Sequence, residues 1–307
     1  MGKLLIVGSL NMDMVIDIDT MPKPGETLFG KKLSLIPGGK GANQAYACGK
    51  LGADVSMIGA VGKDENGSKL LSNLKSVGVD TSGVQVLEHT VSGTAVITVN
   101  SEGENSIIVI PAANYELNEE HIKKHRNLIE ECDIVVLQLE IPMETVIYVA
   151  ELAKSLHKLV ILDPAPAPKI LPGRLIQNVD IMKPNETELQ TLTGMPTATT
   201  EQIVEAAGSL LKKGIDKVVV TVGSKGTVLV TKDKHEVFPP RKVEAVDTTA
   251  AGDSFTAALA MKLVDGHPIE EAIRFGNIVS SIVVTRKGAQ SSIPSYEESV
   301  CIYEDSK

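Results

Sequence analysis

The 307-residue sequence has 39 acidic and 30 basic side chains, a formal net charge of −9. This acidic balance, with four phenylalanines, five tyrosines and no tryptophan, argues against nucleic-acid binding, which needs clustered cations and stacking rings. No apolar run approaches the roughly 18 residues of a membrane span, and three widely spaced cysteines suit a reduced compartment, so we expect a cytoplasmic protein without membrane partners.

Along most of the chain, short apolar runs alternate with segments whose apolar residues recur at helical spacing. Several runs are apolar at nearly every position, which is typical of strands buried on both faces of a parallel sheet. Strands are predicted at residues 3–8, 55–62, 133–139, 158–163, 179–184 and 216–223. Helices are predicted at residues 41–52, 66–78, 117–131, 143–157, 186–194, 200–213, 252–264 and 268–285. The expected fold class is α/β, a single domain over residues 1–307 in which helices sandwich a mainly parallel sheet.

Two segments depart from this pattern. Residues 12–36 and 92–111 alternate apolar with polar side chains and contain the turn signals PKPGE and NSEGEN. Such alternation is typical of strands with one wet face. We expect these segments to form a small sheet that projects from the main domain and covers the site.

Polar residues follow two of the predicted strands. Asn11 and Asp13 come soon after the first strand, and Glu140 ends the run DIVVLQLE. Ligands of open α/β sheets bind at the carboxyl ends of strands. These side chains could therefore contact a ligand, although each of them taken alone is more typical of an ordinary loop.

The stretch PGGKGANQA, residues 37–45, opens a predicted helix. Its glycines would let a ligand approach the main chain, while Lys40 and Asn43 supply hydrogen-bond donors. It is not a Walker A loop, because the chain contains no G-x-x-x-x-G-K-[ST]. A purely structural turn explains these residues equally well.

The stretch KPNETE, residues 183–188, places Asn185 and Glu188 on one face of a first helical turn. There they could organise Mg²⁺-bound water beside a polyphosphate. The same N-x-x-E pattern is a helix capping box, which is the favoured interpretation of the motif alone.

The stretch TVGSKG, residues 221–226, ends a predicted strand and turns through glycines. Its position suits the nucleotide side of a crevice at the edge of the sheet. Without that context, a simple β-turn would be the better interpretation.

The stretch DTTAAGDSF, residues 247–255, has five small residues with one aspartate before them and one after them. Residues 241–246 before it look strand-like, and the following residues have helical spacing, so Gly252 and Asp253 should lie at a helix start. Unpaired backbone N–H groups there and a dipole of about half a positive charge would attract a phosphate. Asp253 could then accept a proton from an attacking hydroxyl. An ordinary helix cap in a tight loop is an even alternative.

Taken together, GGKGANQA, PNETE, TVGSKG and AVDTTAAGDSF, in this order, resemble the ribokinase-like carbohydrate kinase family. The resemblance runs from Leu4 to about Pro294. It implies an α/β domain with a β-sheet lid, and transfer of the γ-phosphoryl group of ATP to a sugar hydroxyl with Mg²⁺. Asp253 would be the catalytic base, and the backbone amides of Ala250, Ala251 and Gly252 would form an anion hole.

The resemblance is strongest to members that phosphorylate D-ribose at its 5-hydroxyl, and it implies the following sugar-binding residues: Asn11, Asp13, Gly39, Lys40, Asn43, Glu140 and Asp253. Members that act on 2-deoxyribose tend to have an apolar residue where Asn11 stands, so Asn11 favours ribose. Kinases of 2-deoxyribose, fructose or adenosine, and a catalytically silent sugar-binding protein, remain alternatives.

The resemblance also implies a nucleotide site, an activating potassium ion and a homodimer formed through the lids. The nucleotide site would comprise Asn185, Glu188, Thr221, Gly223, Ser224, Gly226, Gly252 and Asn277. The K⁺ site would comprise Asp247, Thr249, Val283, Arg286, Gly288 and Ser292, mostly through backbone carbonyl groups.

Overall fold

The computed structural model describes residues 2–304 of the chain. Its strands are β1 (Lys3–Val7), β2 (Asn11–Asp17), β3 (Lys32–Gly38), β4 (Asp54–Gly62), β5 (Asp80–Leu87), β6 (Gly93–Val99), β7 (Asn105–Ile110), β8 (Ile134–Leu137), β9 (Leu159–Leu162), β10 (Ile181–Met182), β11 (Lys217–Thr221), β12 (Thr227–Val230) and β13 (His235–Phe238). Its α-helices are α1 (Lys40–Lys50), α2 (Glu65–Lys75), α3 (Glu119–Lys124), α4 (Arg126–Glu131), α5 (Met143–Ser155), α6 (Gly173–Ile176), α7 (Glu186–Thr193), α8 (Thr200–Lys213), α9 (Ala251–Val264), α10 (Ile269–Val283) and α11 (Tyr296–Glu304).

Nine strands form the main sheet in the order β13-β12-β11-β10-β9-β8-β1-β4-β5. The pairs from β5 to β11 are parallel, and β12 and β13 add to one edge as antiparallel strands. All six predicted strands are present, so the α/β prediction is confirmed. The sequence prediction did not include β5, β12 or β13.

Helices cover both faces of this sheet. Leu4 and Ile6 of β1 pack into one buried cluster, whereas Leu5 and Val7 pack into a second cluster on the other face. Adjacent side chains of a strand point to opposite faces. This alternation explains why the central strands are apolar at nearly every position.

The small sheet has the strand order β3-β2-β6-β7 and is built from strands that lie largely within residues 12–36 and 92–111. Strands β2 and β6 are parallel, and the outer pairs are antiparallel. Strand β2 enters this sheet at Asn11, so the chain passes directly from the end of β1 into the small sheet. The carboxyl edge of the main sheet therefore adjoins the small sheet.

Side-chain caps explain where several helices begin, and two predictions need correction. Helix α2 begins after Asp64, whose carboxylate accepts a hydrogen bond from Gly67 N at 2.7 Å. The predicted helix 117–131 is divided at His125 into α3 and α4.

Residues 241–246 form no strand, and Val246 N instead donates a hydrogen bond to the Val284 carbonyl at 2.7 Å. Within residues 2–304, no helix has the length and apolar character to cross a bilayer.

Candidate active site

The turn before helix α9 lies at the carboxyl edge of the main sheet. Ala250, which precedes the helix, has a left-handed conformation with φ of 59°, which is uncommon for a residue with a side chain. Within residues 2–304, the N–H groups of Ala250 and Gly252 have no hydrogen-bond acceptor, whereas Ala251 N donates to the Thr248 carbonyl at 3.3 Å. Two free amides at a helix start can therefore bind an anion directly, and the third must first leave Thr248.

Asp253 lies in the first turn of α9 and is only 6% exposed. Asn43 Nδ2 donates to its Oδ2 at 3.0 Å, and Gln44 Nε2 donates to its Oδ1 at 3.0 Å. Both donors lie on α1 in the glycine-rich motif. The two hydrogen bonds fix the orientation of the carboxylate and leave lone pairs that can accept a proton from a hydroxyl.

A second row of amides fixes the two donors. Gln290 Nε2 donates to Asn43 Oδ1 at 3.0 Å, and Gln138 Nε2 donates to Gln44 Oε1 at 2.6 Å. Because each amide oxygen is occupied, each NH₂ group must face the carboxylate of Asp253. Three separate parts of the chain thus hold this one side chain.

A buried ion pair lies beneath the same turn. Lys183 Nζ is 3.0 Å from Asp163 Oδ2, and their side chains are 4% and 2% exposed. Gln44 Nε2 also donates to Asp163 Oδ2 at 2.9 Å, and Lys183 Nζ lies 3.4 Å from the Gly252 carbonyl oxygen. The pair therefore connects the ends of β9 and β10 to the start of α9.

The start of α1 joins the small sheet to the end of β8. Glu140 Oε2 accepts hydrogen bonds from Ser9 Oγ at 2.5 Å and from Lys40 N at 3.0 Å. Gly39 has φ of 88°, and a Cβ atom there would lie 2.7 Å from Asn11 N, so only glycine fits. The polar residues after β1 and β8 are thus brought to the glycine-rich turn.

The charged residues around the glycine-rich turn, Asp13, Lys40, Glu140 and Asp253, are here called the polar pocket, and their charges influence one another. The pKa of Asp13 rises to about 7, first through burial and then through the negative charges of Glu140 and Asp253. Burial would lower the pKa of Lys40, but Asp253, Asp163 and Glu140 outweigh it and raise that pKa above its ordinary value. The pocket therefore combines a fully charged amine with a carboxyl group that titrates near neutral pH.

A cleft of about 680 Å³ lies on the other side of the α9 turn. Seven of the eight residues predicted to bind nucleotide line it: Asn185, Thr221, Gly223, Ser224, Gly226, Gly252 and Asn277. Asn277 Oδ1 accepts a hydrogen bond from Thr227 Oγ1 at 2.7 Å, which fixes its amide at the cleft wall. The cleft is of the size that small-molecule sites commonly have.

Glu188 is the one predicted nucleotide residue that does not line the cleft, and it forms a capping box with Asn185. Its Oε2 accepts from Asn185 N at 2.8 Å, and Asn185 Oδ1 accepts from Glu188 N at 2.8 Å. Burial and the nearby charge of Asp163 raise the pKa of Glu188. Within residues 2–304, Glu188 Oε1 has no hydrogen-bond donor, and no group of three or more His, Cys, Asp or Glu side chains forms a metal cluster.

Three of the residues predicted for the K⁺ site are joined by hydrogen bonds. Asp247 accepts from Thr249 N at 2.9 Å, from Thr249 Oγ1 at 2.6 Å and from Gly288 N at 2.9 Å. Burial would raise the pKa of Asp247, but these bonds outweigh it and lower that pKa. An ionised carboxylate thus ties the α9 turn to the loop after α10.

Of the other three residues, Val283 ends α10 and Arg286 and Ser292 follow it, and Arg286 occupies two of the predicted carbonyl ligands. The Val283 carbonyl accepts from Arg286 N at 3.0 Å, and the Ser292 carbonyl accepts from Arg286 Nη1 at 3.5 Å. The guanidinium also pairs with Glu298. A cation bound here would have to compete with a guanidinium for the Ser292 oxygen.

Five residues of this network were not predicted from the sequence: Gln44, Asp163, Lys183, Gln138 and Gln290. Gln44 and Lys183 stand inside motifs that were singled out, next to residues that were predicted. Nothing in a single sequence distinguishes such polar residues from exposed ones, because their partners lie far away along the chain.

Comparison with known proteins places this geometry in a family. The pfkB family carbohydrate kinase model matches residues 1–296. The ribokinase of Haemophilus influenzae is 40% identical, covering 97% of each chain, and the deoxyribokinase of Salmonella typhi is also 40% identical, covering 96% of each. The structure of Arabidopsis thaliana ribokinase complexed with ribose and ATP is similar with a TM-score of 0.93, at 36% identity and 99% coverage of both chains. The chain therefore belongs to the pfkB family of carbohydrate kinases and is a sugar kinase.

Proposed function

We propose that the protein phosphorylates D-ribose at its 5-hydroxyl with ATP, giving D-ribose 5-phosphate and ADP. The observation that carries this proposal is the position of Asp253, buried at the start of α9 between a polar pocket and a cleft of about 680 Å³. The likeness to a ribokinase described with ribose and ATP supports the choice of both substrates.

In the proposed reaction, Asp253 accepts the proton of the 5-hydroxyl group while the oxygen of that hydroxyl attacks the γ-phosphorus of ATP. The new bond joins the sugar oxygen to phosphorus, and the bond to the β,γ-bridging oxygen breaks so that ADP leaves. Amides of Ala250, Ala251 and Gly252 stabilise the phosphoryl oxygens in flight. Asn43 and Gln44 keep the carboxylate of Asp253 in place throughout.

The polar pocket has the donors and acceptors that a sugar requires. Asp13 and Glu140 can accept hydrogen bonds from hydroxyl groups, while Lys40 and Asn11 can donate to hydroxyl oxygens, and Gly39 allows close approach. Each unmatched polar group would cost about 1–3 kcal/mol, so a pocket with this many polar groups favours a polyhydroxylated substrate.

A kinase of 2-deoxyribose is the second candidate, because a deoxyribokinase matches this chain at the same 40% identity as a ribokinase. Asn11 decides between them in our proposal. Its amide offers a donor to the sugar, and a substrate without the matching hydroxyl leaves that donor unpaired.

Mg²⁺ and K⁺ complete the proposal. Glu188 fits a role in holding water-coordinated Mg²⁺, because its Oε1 is unpaired within residues 2–304 and its carboxylate lies beside the cleft residue Asn185. When bound, Mg²⁺ would neutralise phosphate charge. Asp247 suits K⁺ because its carboxylate is ionised, although Arg286 must release the Ser292 carbonyl.

The small sheet would act as a lid and as a dimer contact, within a single domain spanning residues 1–307. Its outer strands β3 and β7 each have one unpaired edge, and apolar side chains of β7 are exposed, Ile108 at 64% and Ile110 at 47%. An exposed apolar strand edge favours pairing with a second copy. Light scattering should give twice the mass of one chain, and a monomer at all concentrations would contradict the dimer.

The decisive test is the Asp253→Asn variant. Turnover of ribose should fall by orders of magnitude while ribose still binds, because the amide keeps the shape of the side chain and cannot accept the proton. Asp265→Asn is the matched control, since Asp265 is exposed at the other end of the same helix. Near-normal turnover by Asp253→Asn would refute the catalytic role.

Parent protein should be assayed on ribose, 2-deoxyribose, fructose and adenosine, each in potassium and in sodium with Mg²⁺. A clear preference for ribose supports the proposal, and preference for another substrate replaces it. Binding of ribose without turnover of any substrate would favour a silent binding protein.

A further inference from the structure

Asn114 is a buried amide outside the residues assigned so far. It lies in the 3₁₀ turn Ala112–Glu116, which follows the last strand of the small sheet. Its Oδ1 accepts from Leu10 N at 2.9 Å, and its Nδ2 donates to the Leu10 carbonyl at 3.1 Å and to Asn11 Oδ1 at 2.8 Å. Asn114 thus contacts the chain at the point where β1 passes into the small sheet.

These three hydrogen bonds determine which way two amides face. A backbone N–H can only donate and a backbone carbonyl can only accept, so Leu10 fixes the oxygen and nitrogen of Asn114. The second hydrogen of Asn114 Nδ2 then requires an acceptor, which must be the oxygen of Asn11. The NH₂ group of Asn11 is consequently turned away from Asn114, and within residues 2–304 it has no protein acceptor.

Gly93 makes this contact possible. A Cβ atom at that position would overlap both Asn114 Nδ2 and Asn11 Oδ1, so a side chain there would separate the two amides. The start of β6 and the start of β2 are paired at Asn11 and Gly93. Two strands of the small sheet therefore enclose the Asn11–Asn114 hydrogen bond.

We propose that Asn114 is a specificity-determining positioning residue, which makes Asn11 present a hydrogen-bond donor to the 2-hydroxyl of the sugar. This inference depends on the proposed function. Asn11 begins β2 of the small sheet whereas Asp253 lies in α9, so with the 5-hydroxyl at Asp253 we assign Asn11 to a hydroxyl at the other end of the sugar. A sugar with CH₂ at C2 leaves the donor unpaired, so ribose is preferred over 2-deoxyribose.

The test compares kcat/KM and the dissociation constant for ribose and 2-deoxyribose in the parent protein and in Asn114→Leu. Leucine has a similar volume and cannot orient Asn11. The variant should lose roughly tenfold or more in kcat/KM for ribose while 2-deoxyribose changes by about twofold or less. In an Asn11→Ala background, Asn114→Leu should leave the ratio of kcat/KM for ribose to that for 2-deoxyribose unchanged.

Two further variants separate specificity from folding. Asn118→Ala is the matched control, because Asn118 is an exposed helix cap four residues away and should not change the ratio. Gly93→Ala disturbs the same contact from the other strand. If Asn114→Leu does not fold, Gly93→Ala takes its place and should lower the ratio of kcat/KM for ribose to that for 2-deoxyribose.

Equal losses for both sugars, or an unchanged ratio in Asn114→Leu and Gly93→Ala, would overturn the proposal. Failure of the proposed function has a different result, because the parent protein would then phosphorylate neither sugar or would prefer 2-deoxyribose. Calorimetric dissociation constants still report the preference between the sugars in that case.

Discussion

Replacing Asp13 by asparagine removes a carboxyl group whose protonation changes on folding. Its pKa moves from 3.8 in the unfolded chain to about 7 in the folded protein, through burial and then through Glu140 and Asp253. Because the folded-state pKa is the higher one, the stability contribution is full below pH 3.8 and is lost as the pH rises to about 7. Above that pH both states are ionised, and the loss stays constant.

The size of the effect follows from these two pKa values. Integrating the difference in bound protons between pH 5 and pH 8 gives a loss of roughly 2.5 kcal/mol, which the parent protein suffers and Asp13→Asn does not. Asp13 is only partly buried, so solvent screens part of the repulsion. We therefore expect Asp13→Asn to gain about 1–2.5 kcal/mol relative to the parent between these pH values.

Urea unfolding at pH 5 and at pH 8 measures this difference. The control is Asp233→Asn, which removes an exposed loop carboxylate and should change relative stability by about 0.5 kcal/mol or less. If the stability difference between the parent and Asp13→Asn is the same at both pH values, Asp13 does not titrate as inferred.

The same titration predicts how the sugar binds. Hydroxyl groups donate to the ionised form of Asp13, so ribose affinity should rise as the pH passes through 7, with release of a proton near neutral pH. Calorimetry at pH 7 in two buffers of different ionisation enthalpy measures that proton. No buffer dependence would show that binding does not ionise Asp13.

Two substitutions test the packing around the site by thermal or urea unfolding. Lys183→Met leaves a buried carboxylate unpaired and should destabilise the protein by about 3–5 kcal/mol, whereas Lys225→Met, in an exposed ion pair, should cost about 1 kcal/mol or less. Similar losses of unfolding free energy in the two variants would mean that the buried ion pair stabilises the protein no more than the exposed one. Gly41→Ala places a Cβ atom 2.6 Å from Ser9 N and should destabilise the fold strongly. The control is Gly208→Ala, which has open space around it in α8 and should be neutral or stabilising. Equal stability of the two variants would contradict the steric argument.

Patterns with a short period along the chain predicted most of the fold. The central strands were recognisable because both faces of the sheet are covered, which leaves them continuously apolar. Strand β5 was missed because its burial is interrupted, with Asp80 and Ser82 exposed. Residues 241–246 have apolar side chains but no neighbouring strand, so they remain a loop.

Some residues of the candidate site could be singled out because they stand in motifs, but Gln44 and Lys183 were missed within the same motifs because their partners are distant along the chain. The Gly39 turn and Asp253 belong to compact stretches with unusual composition. Gln138 and Gln290 meet residues 94 and 247 positions away, respectively. A lone glutamine has no local signal, because its role depends entirely on what the fold brings beside it.

The use of amides around Asp253 has a chemical consequence. Asn43 and Gln44 hold the carboxylate by donating hydrogen bonds, and they are themselves uncharged. The nearest lysine beneath the turn is paired with Asp163, and Gln44 stands between that pair and Asp253. Lys40 is the lysine whose charge interacts with Asp253, and it interacts also with Asp163 and Glu140. In the proposed reaction, neutral amides would thus orient the carboxylate of Asp253, and Lys40 would supply the nearby positive charge.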